Sequence, residues 1–546
     1  METVLLVLIL LLAVVISNML ARFIPIPLPI IQIIVGALIA AFGGLGVHLS
    51  PDVFFLLFLP PLLFLDGWRI SKESLKRDKW TILQLALGLV FFTVLGVGYF
   101  IHMMIPSMGL PISFALAAVL SPTDPVAVTA IASRVTIPKR LMHILEGEAL
   151  LNDASGLVSM KFALLAATSA AGFSLFAAFG VFTWTAIVGL AIGALVTFAI
   201  VALMNFWTSR FGENSIVQII VSILTPFAAY LLAEQLHASG ILAAVSGGIS
   251  MSYTIFRQRN DATTRTQRAT VWDTIQYIAN GIVFILLGEQ LPNIFSSAAS
   301  VVKETGHYET LWLFIYVFAI YIALALTRLI WVWVSLRFSL AKAKAKNKKP
   351  YEPGWRLVLA TSLAGVRGTV TLAGVLTIPL FIAPGVIFPG RDLAIFLAAG
   401  VIIVSLVIAS IFLPFLLKNV SFPPEPSHQK EEDRAVAAAA EAAIKAVEQA
   451  VHELSEGRAD ADLYTEAGVR VMKTYRDRLA GLSGSDEDAQ IAHKVSDISR
   501  TLQLEALKAE RETYYLFARR HQLSEDATKR FINEVDYIEA RYINND

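Results

Sequence analysis

Two short runs place carboxylates inside long apolar stretches: Ser121-Pro122-Thr123-Asp124-Pro125-Val126 and Gly147-Glu148-Ala149-Leu150-Leu151-Asn152-Asp153-Ala154-Ser155. A charge at the centre of a bilayer costs at least ~2.5–3.5 kcal/mol on insertion scales, so a carboxylate there needs a partner or a task. Asp153 and Asp124, with the hydroxyl and carbonyl oxygens of Thr123, form a set of hard oxygen donors suited to a small monovalent cation. Taking a carboxylate out of water favours its neutral form, so one group can hold a cation and a proton in turn. Pro122 and Pro125 bracket Thr123-Asp124. Each lacks an N–H and clashes with the preceding turn, which predicts that the helix unwinds there and frees carbonyl oxygens. Broken helices at mid-membrane are a recurring device of secondary transporters. The plainer alternative is two structural polar residues satisfied by their neighbours.

On the second run, Ala149 and Asp153 are four apart and share a helix face, with Glu146 a further turn inward; Glu148 and Asn152 form the adjacent face. This division turns Asp153 toward the ion and Glu148 toward protein. A buried Glu148 requires a cation, and Arg367, in Gly365-Val366-Arg367-Gly368-Thr369, lies at a matching depth. The Glu148–Arg367 pair is read as a structural tie between two spans. Asp66, in Leu62-Leu63-Phe64-Leu65-Asp66-Gly67, sits toward the inner end of its span, where it either lines an inner funnel or is a solvated interfacial carboxylate. Lys161, Arg328, Glu234 and Glu289 are assigned no role. Gly240, Ala244 and Gly248, and the pair Gly189 and Gly193, read as helix-packing positions.

The chain that must position these groups has 546 residues, 56% of them hydrophobic and 16% charged, with a mean hydropathy of +0.65. Apolar stretches of about 20 residues recur as far as residue 418, which predicts an all-α polytopic membrane protein. Thirteen spans are expected, near 3–20, 27–45, 51–67, 80–105, 111–133, 141–168, 182–204, 215–236, 238–254, 271–291, 311–335, 356–382 and 393–417. Asp124 and Asp153 then lie near the middle of spans five and six, which enter from opposite sides, at about 1.5 Å of rise per residue. The first stretch has no basic residue before it and no small-residue cleavage site, and is expected to be the first membrane helix. The absence of cysteine removes disulfides, thiol nucleophiles and thiolate metal sites.

The net charge of +1 averages two unlike parts. Residues 1–420 hold 27 Lys and Arg against 18 Asp and Glu; residues 421–546 hold 17 against 25. Between the spans, 21 basic residues fall on one side, including Arg69, Lys72, Arg140, Arg268 and Arg337, and only Lys303 and Arg391 on the other. The basic side is cytoplasmic, so the amino terminus is expected outside and the tail inside. Two domains are expected: a transmembrane one over 1–420 and a cytosolic helical one over 421–546. The latter reads as amphipathic helices interrupted at Gly481-Leu482-Ser483-Gly484-Ser485, either a solvated or dimerising bundle or a regulatory segment, with no catalytic constellation.

Ser-Pro-Thr-Asp, then Glu-Ala-Leu-Leu-Asn-Asp, then Gly-Val-Arg-Gly, in this order and on these spans, resembles the NhaP-type sodium/proton antiporters, relatives of the animal sodium/hydrogen exchangers. The spans followed by a cytosolic tail resemble the bacterial YjcE-type branch. The resemblance implies thirteen helices with inverted six-helix repeats, crossing broken helices five and twelve, and a core domain that moves against a dimerisation domain in a homodimer. It implies that Asp153 carries cation and proton, with Asp124, Thr123 and Asn152 in the site and Asp66 at its inner edge. It implies that Glu148 and Arg367 form a structural pair, and that Asn152-Asp153 is the form associated with electroneutral exchange. The expected ligands are Na+ (or Li+) and H+, with no cofactor and no nucleic acid, in a bacterial cell membrane, serving pH and sodium homeostasis. The chain departs from the family form at Ala149, where a serine would add a hydroxyl ligand; the ion must do without it or use water or a carbonyl.

Three other readings are carried forward. One is a K+-preferring antiporter or a proton-coupled carrier of another solute. The second is an intramembrane aspartyl hydrolase using Asp124 and Asp153 as an acid/base dyad, disfavoured because no Gly-x-Gly-Asp segment is present. The third is an ion sensor, for which the tail shows no output motif.

Overall fold

Runs of Leu, Ile, Val, Ala and Phe are taken up almost entirely by helices, which satisfy their own backbone hydrogen bonds and so suit a hydrocarbon surround. The computed structural model describes residues 2–24, 26–43, 51–70, 72–132, 139–168, 175–254, 262–304, 311–345, 354–379, 381–383, 386–388, 390–418, 429–456, 461–483, 486–520 and 522–543. The chain forms two compact units, Met1–Ser421 and Phe422–Asp546.

In the first unit the order is α1 (Glu2–Ala21), α2 (Leu28–Gly43), α3 (Pro51–Arg69), α4 (Lys72–Arg77), α5 (Lys79–Leu83), a π-helical turn (Gln84–Gly88), α6 (Leu89–Met104), α7 (Leu110–Leu120), α8 (Pro125–Ala132), α9 (Lys139–Thr168), α10 (Leu175–Phe211), α11 (Ser215–Gln235) and α12 (Gly240–Thr254). It continues with α13 (Ala262–Glu304), α14 (Leu311–Ala345), α15 (Trp355–Leu363), α16 (Thr369–Leu376), the strands β1 (Phe381–Ala383) and β2 (Val386–Ile387), and α17 (Arg391–Leu417). Among the described residues, eight helices are each long and apolar enough to cross a membrane. The other predicted spans fall on the shorter α2, α3 and α12 and on two helix pairs, α7–α8 and α15–α16, each interrupted midway.

Two differences from the sequence expectation have local causes. The stretch expected to be helical to residue 382 leaves the helix at Leu376, because Pro379 pushes its predecessor out of the helical region. Chain beyond it forms the antiparallel β1–β2 pair, with Phe381 opposite Ile387. Span four carries the π-turn, which the apolar pattern does not signal. It is pinned from two sides: Ser155 Oγ donates to the Ala86 carbonyl at 2.8 Å, and Trp331 Nε1 to the Gln84 carbonyl at 3.1 Å.

The helices pack as two bundles. In one, α2 lies along α13, α3 along α12, and α10 and α11 beside α12. In the other, α6, α7 and α9 pack together with α14, α15, α16 and α17. Small residues let the first bundle close: a Cβ on Gly193 would lie 2.7 Å from the Ala243 carbonyl carbon, and one on Gly248 3.0 Å from the Trp68 nitrogen. The predicted packing role of these glycines is thus met by backbone-to-backbone contact. Contacts of α13 with α17, and of α3 with α9 and α16, join the bundles. Lys161 of α9 also reaches Glu234 of α11 at 3.4 Å, and the same Glu234 oxygen accepts from Gly240 N at 3.2 Å.

The second unit holds α18 (Gln429–Ser455), α19 (Ala461–Ser483), α20 (Asp486–Arg519) and α21 (Glu525–Ile543). The helices pair as α18 with α19 and α20 with α21. Tyr514 stacks on Phe531 at 5.2 Å between ring centres, and Arg511 pairs with Asp536 and Glu539 across the second hairpin.

Candidate ion-binding site

The first break begins where α7 ends at Leu120. Residues 121–124 are non-helical, and α8 starts at Pro125. Proline suits that position, since the first helical N–H has no partner to lose. The second break spans residues 364–368 between α15 and α16. The two breaks touch directly: Asp124 N donates to the Val366 carbonyl at 2.7 Å.

This crossing brings four half-helix ends together, and two charges compensate them. Asp124 caps α8 by accepting from Ala127 N at 3.2 Å. It also lies against the start of α16, where a Cβ on Gly368 would overlap its carboxylate. A negative side chain therefore stands at two positive helix ends. Arg367 does the converse. Its Nε donates to the Leu120 carbonyl at 2.9 Å, its Nη1 to the Gly365 carbonyl, and its backbone N to Ser405 Oγ at 3.1 Å. A guanidinium therefore stands at the negative ends of α7 and α15.

The Glu148–Arg367 pair expected from the sequence is not formed. Glu148 pairs with Arg328 of α14, Nη1 on Oε1 and Nη2 on Oε2 at 2.8 Å, and Arg328 Nε donates to the Thr361 carbonyl at 3.2 Å. The physical reason is that the donors of Arg367 are already committed to helix-end carbonyls, while Arg328 presents a free fork to the carboxylate. The tie runs from α9 to α14 and α15. Depth along a span cannot choose between two arginines on different helices, and Arg328 went unassigned for that reason.

Asn152 lies one turn beyond Glu148 on the same face. Its Nδ2 donates to Thr123 Oγ1 at 3.1 Å and to Glu148 Oε1 at 3.5 Å. It is 1% exposed, and among the described residues its Oδ1 has no partner. Asn152 thus stands behind Thr123, linking it to the buried ion pair.

Asp66, Thr123, Asp124 and Asp153 line one cavity of about 410 Å³, counted out to its mouth. Leu62, Pro122, Pro125, Gly368, Val370 and Thr371 complete most of its wall, and Gln276 and Asn280 of α13 close it. Asp66 is therefore a lining residue. Ala149 is buried and outside the lining. At one end, Arg69 pairs with Asp273 and donates to Gln276 Oε1 at 2.6 Å. Both members of that pair are well exposed, which marks this end as the mouth. Gln276 and Asn280 were not singled out from the sequence. Their signal is two amides four residues apart within an apolar span. The arrangement offers a small cation several hard oxygens, carboxylate and hydroxyl, in a pocket that excludes most water.

Residues 7–419 match the family model described as sodium/hydrogen exchanger, transmembrane. The chain belongs to the sodium/hydrogen exchanger family. It is 39% identical to the Na(+)/H(+) exchanger YjcE of Escherichia coli (strain K12) over 553 aligned positions, covering 100% of this chain and 99% of that protein. It is 37% identical to the sodium, potassium, lithium and rubidium/H(+) antiporter of Bacillus subtilis (strain 168) over 554 positions, covering 100% of this chain and 79% of that one. The sodium proton antiporter MjNhaP1 of Methanocaldococcus jannaschii, solved at pH 8, superimposes with a TM-score of 0.57 at 18% identity. That match covers 77% of this chain and 99% of MjNhaP1, and shows a shared fold. As a sodium/hydrogen exchanger the chain is a multi-span membrane transporter, which sets the aspartyl hydrolase reading aside.

Proposed function

We propose that the chain exchanges Na+ or Li+ for H+ across a bacterial cell membrane, one for one, in pH and sodium homeostasis. The observation that carries the reading is the meeting of Asp66, Asp124, Asp153 and Thr123 on one cavity beside two crossed helix breaks. Asp153 holds the cation and the proton in turn. Asp124, steadied by two helix ends, and Thr123, steadied by Asn152, complete the cation's oxygen shell. Arg367 and the Glu148–Arg328 pair hold the geometry without touching the ion. No cofactor is required, since the transported cation is the substrate.

An empty, charged carboxylate is costly to carry through an apolar barrier, so the loaded forms cross, and exchange is obligatory. Each load is exposed to one side at a time as one bundle shifts against the other. The charge asymmetry of the loops supports a cytoplasmic mouth at Arg69 and Asp273, an outside amino terminus and a cytoplasmic tail. Lys161 and Glu234, eight residues from Asp153 along α9, join the bundles toward the other face in this arrangement. The working form is a homodimer.

A broader cation range is the second reading. The Bacillus subtilis relative is named for sodium, potassium, lithium and rubidium and aligns along the whole of this chain. Proton flux in proteoliposomes driven by Na+, Li+ and K+ gradients tests both. Flux with Na+ or Li+ supports the first reading, comparable flux with K+ the second, and none with any cation contradicts antiport.

A further inference from the structure

The cavity has two walls of different origin. Thr123, Asp124, Asp153, Gly368 and Thr371 come from the bundle of the crossed breaks, whereas Asp66, Gln276 and Asn280 come from α3 and α13 in the other. Gln276 and Asn280 are four residues apart and share a face of α13. The Gln276 carbonyl oxygen is taken by Arg69 at 2.6 Å. Asn280, one turn further from the mouth, makes no hydrogen bond among the described residues, so its amide oxygen is open to whatever enters.

We propose that Asn280 is a specificity-determining ligand of the transported cation, joining its shell while the two walls face each other and leaving it when they part. The inference rests on the antiport reading. A cation that sheds water needs several oxygens, and a neutral carbonyl adds one without adding charge. A proton on a carboxylate needs a single acceptor at most. Asn280 therefore favours the cation-loaded form over the proton-loaded one. Because α13 is not in the bundle of Asp153, this preference acts at the mouth face only. Asn280 thereby sets how tightly the ion is held at entry and release on that face.

The test is cation-driven proton flux by Asn280→Ala and Asn280→Ser in right-side-out and everted vesicles, with apparent Km taken for Na+, Li+ and K+ at each face. Asn280→Ala is expected to raise Km at the mouth face about three- to tenfold, the scale of one lost polar contact. Its Vmax should stay within about twofold, Km at the opposite face should be unchanged, and Asn280→Ser, which keeps an oxygen, should recover part of the loss. Unchanged Km at both faces, or an equal rise at both, overturns the proposal. Should Asn280→Ala not fold, Asn280→Ser decides alone: a one-sided Km rise supports the role, and parental values at both faces overturn it. A parent chain that exchanges no cation overturns the antiport reading and this inference with it.

Discussion

Arg328 and Glu148 meet through two parallel N–H···O contacts, with side chains 2% and 0% exposed. Removing one partner leaves a buried charge uncompensated, which costs about 3–5 kcal/mol. Glu148→Gln and Arg328→Gln are each expected to lower the melting temperature and yield of the purified protein. The double variant Glu148→Gln/Arg328→Gln should recover much of the loss. Single variants as stable as the parent but inactive would show that the pair works in transport and not in holding α9 to α14.

Arg367 should behave differently. Arg367→Gln leaves the Glu148–Arg328 pair intact and strips the charge from two helix ends, each worth about 0.3–1 kcal/mol and up to ~2 when partly buried. The expected result is a smaller stability loss than for Arg328→Gln, measured side by side by thermal unfolding. A larger loss would mean that Arg367 carries the tie after all.

Gly368→Ala probes the crossing itself. The added methyl would fall on the Asp124 carboxylate, so either Asp124 or the start of α16 must move. Exchange should drop by more than about tenfold, the scale on which misplaced reacting groups act, while the protein still inserts and remains monodisperse. Parental exchange rates would contradict the placement of Asp124 at the α16 end.

The chain has no cysteine, which allows a clean test of relative bundle movement. Lys161→Cys/Glu234→Cys, joined by a short reducible bifunctional thiol reagent, should stop exchange, and reduction should restore it. Each single cysteine treated alike serves as the control. Full exchange in the joined protein would show that α9 and α11 do not separate during the cycle.

The main features of this site were legible in residue type. Pro122 and Pro125 announce a break because proline's missing N–H acts locally, and Asp124 and Asp153 stand out because carboxylates are expensive in apolar spans. Partner choice was not legible. Whether Arg328 or Arg367 meets Glu148 depends on which helices pack together, and a sequence without homologues gives only depth along each span. Asn280 and Gln276 escaped notice because neutral amides cost less in an apolar span than charges do, so each has a weaker claim to a function. The π-turn in span four escaped for another reason: it is stabilised by Ser155 and Trp331, 69 and 247 residues away from the carbonyls they bind.

The central claim is that Asp153 carries cation and proton alternately, and Asp153→Asn addresses it most directly. The amide keeps the shape and removes the titratable charge. In proteoliposomes under an imposed Na+ gradient, the parent should move protons and Asp153→Asn should move none above the empty-liposome rate, with unaltered folding by size exclusion and thermal unfolding. Substantial Na+-driven proton flux through a folded Asp153→Asn protein would contradict the account.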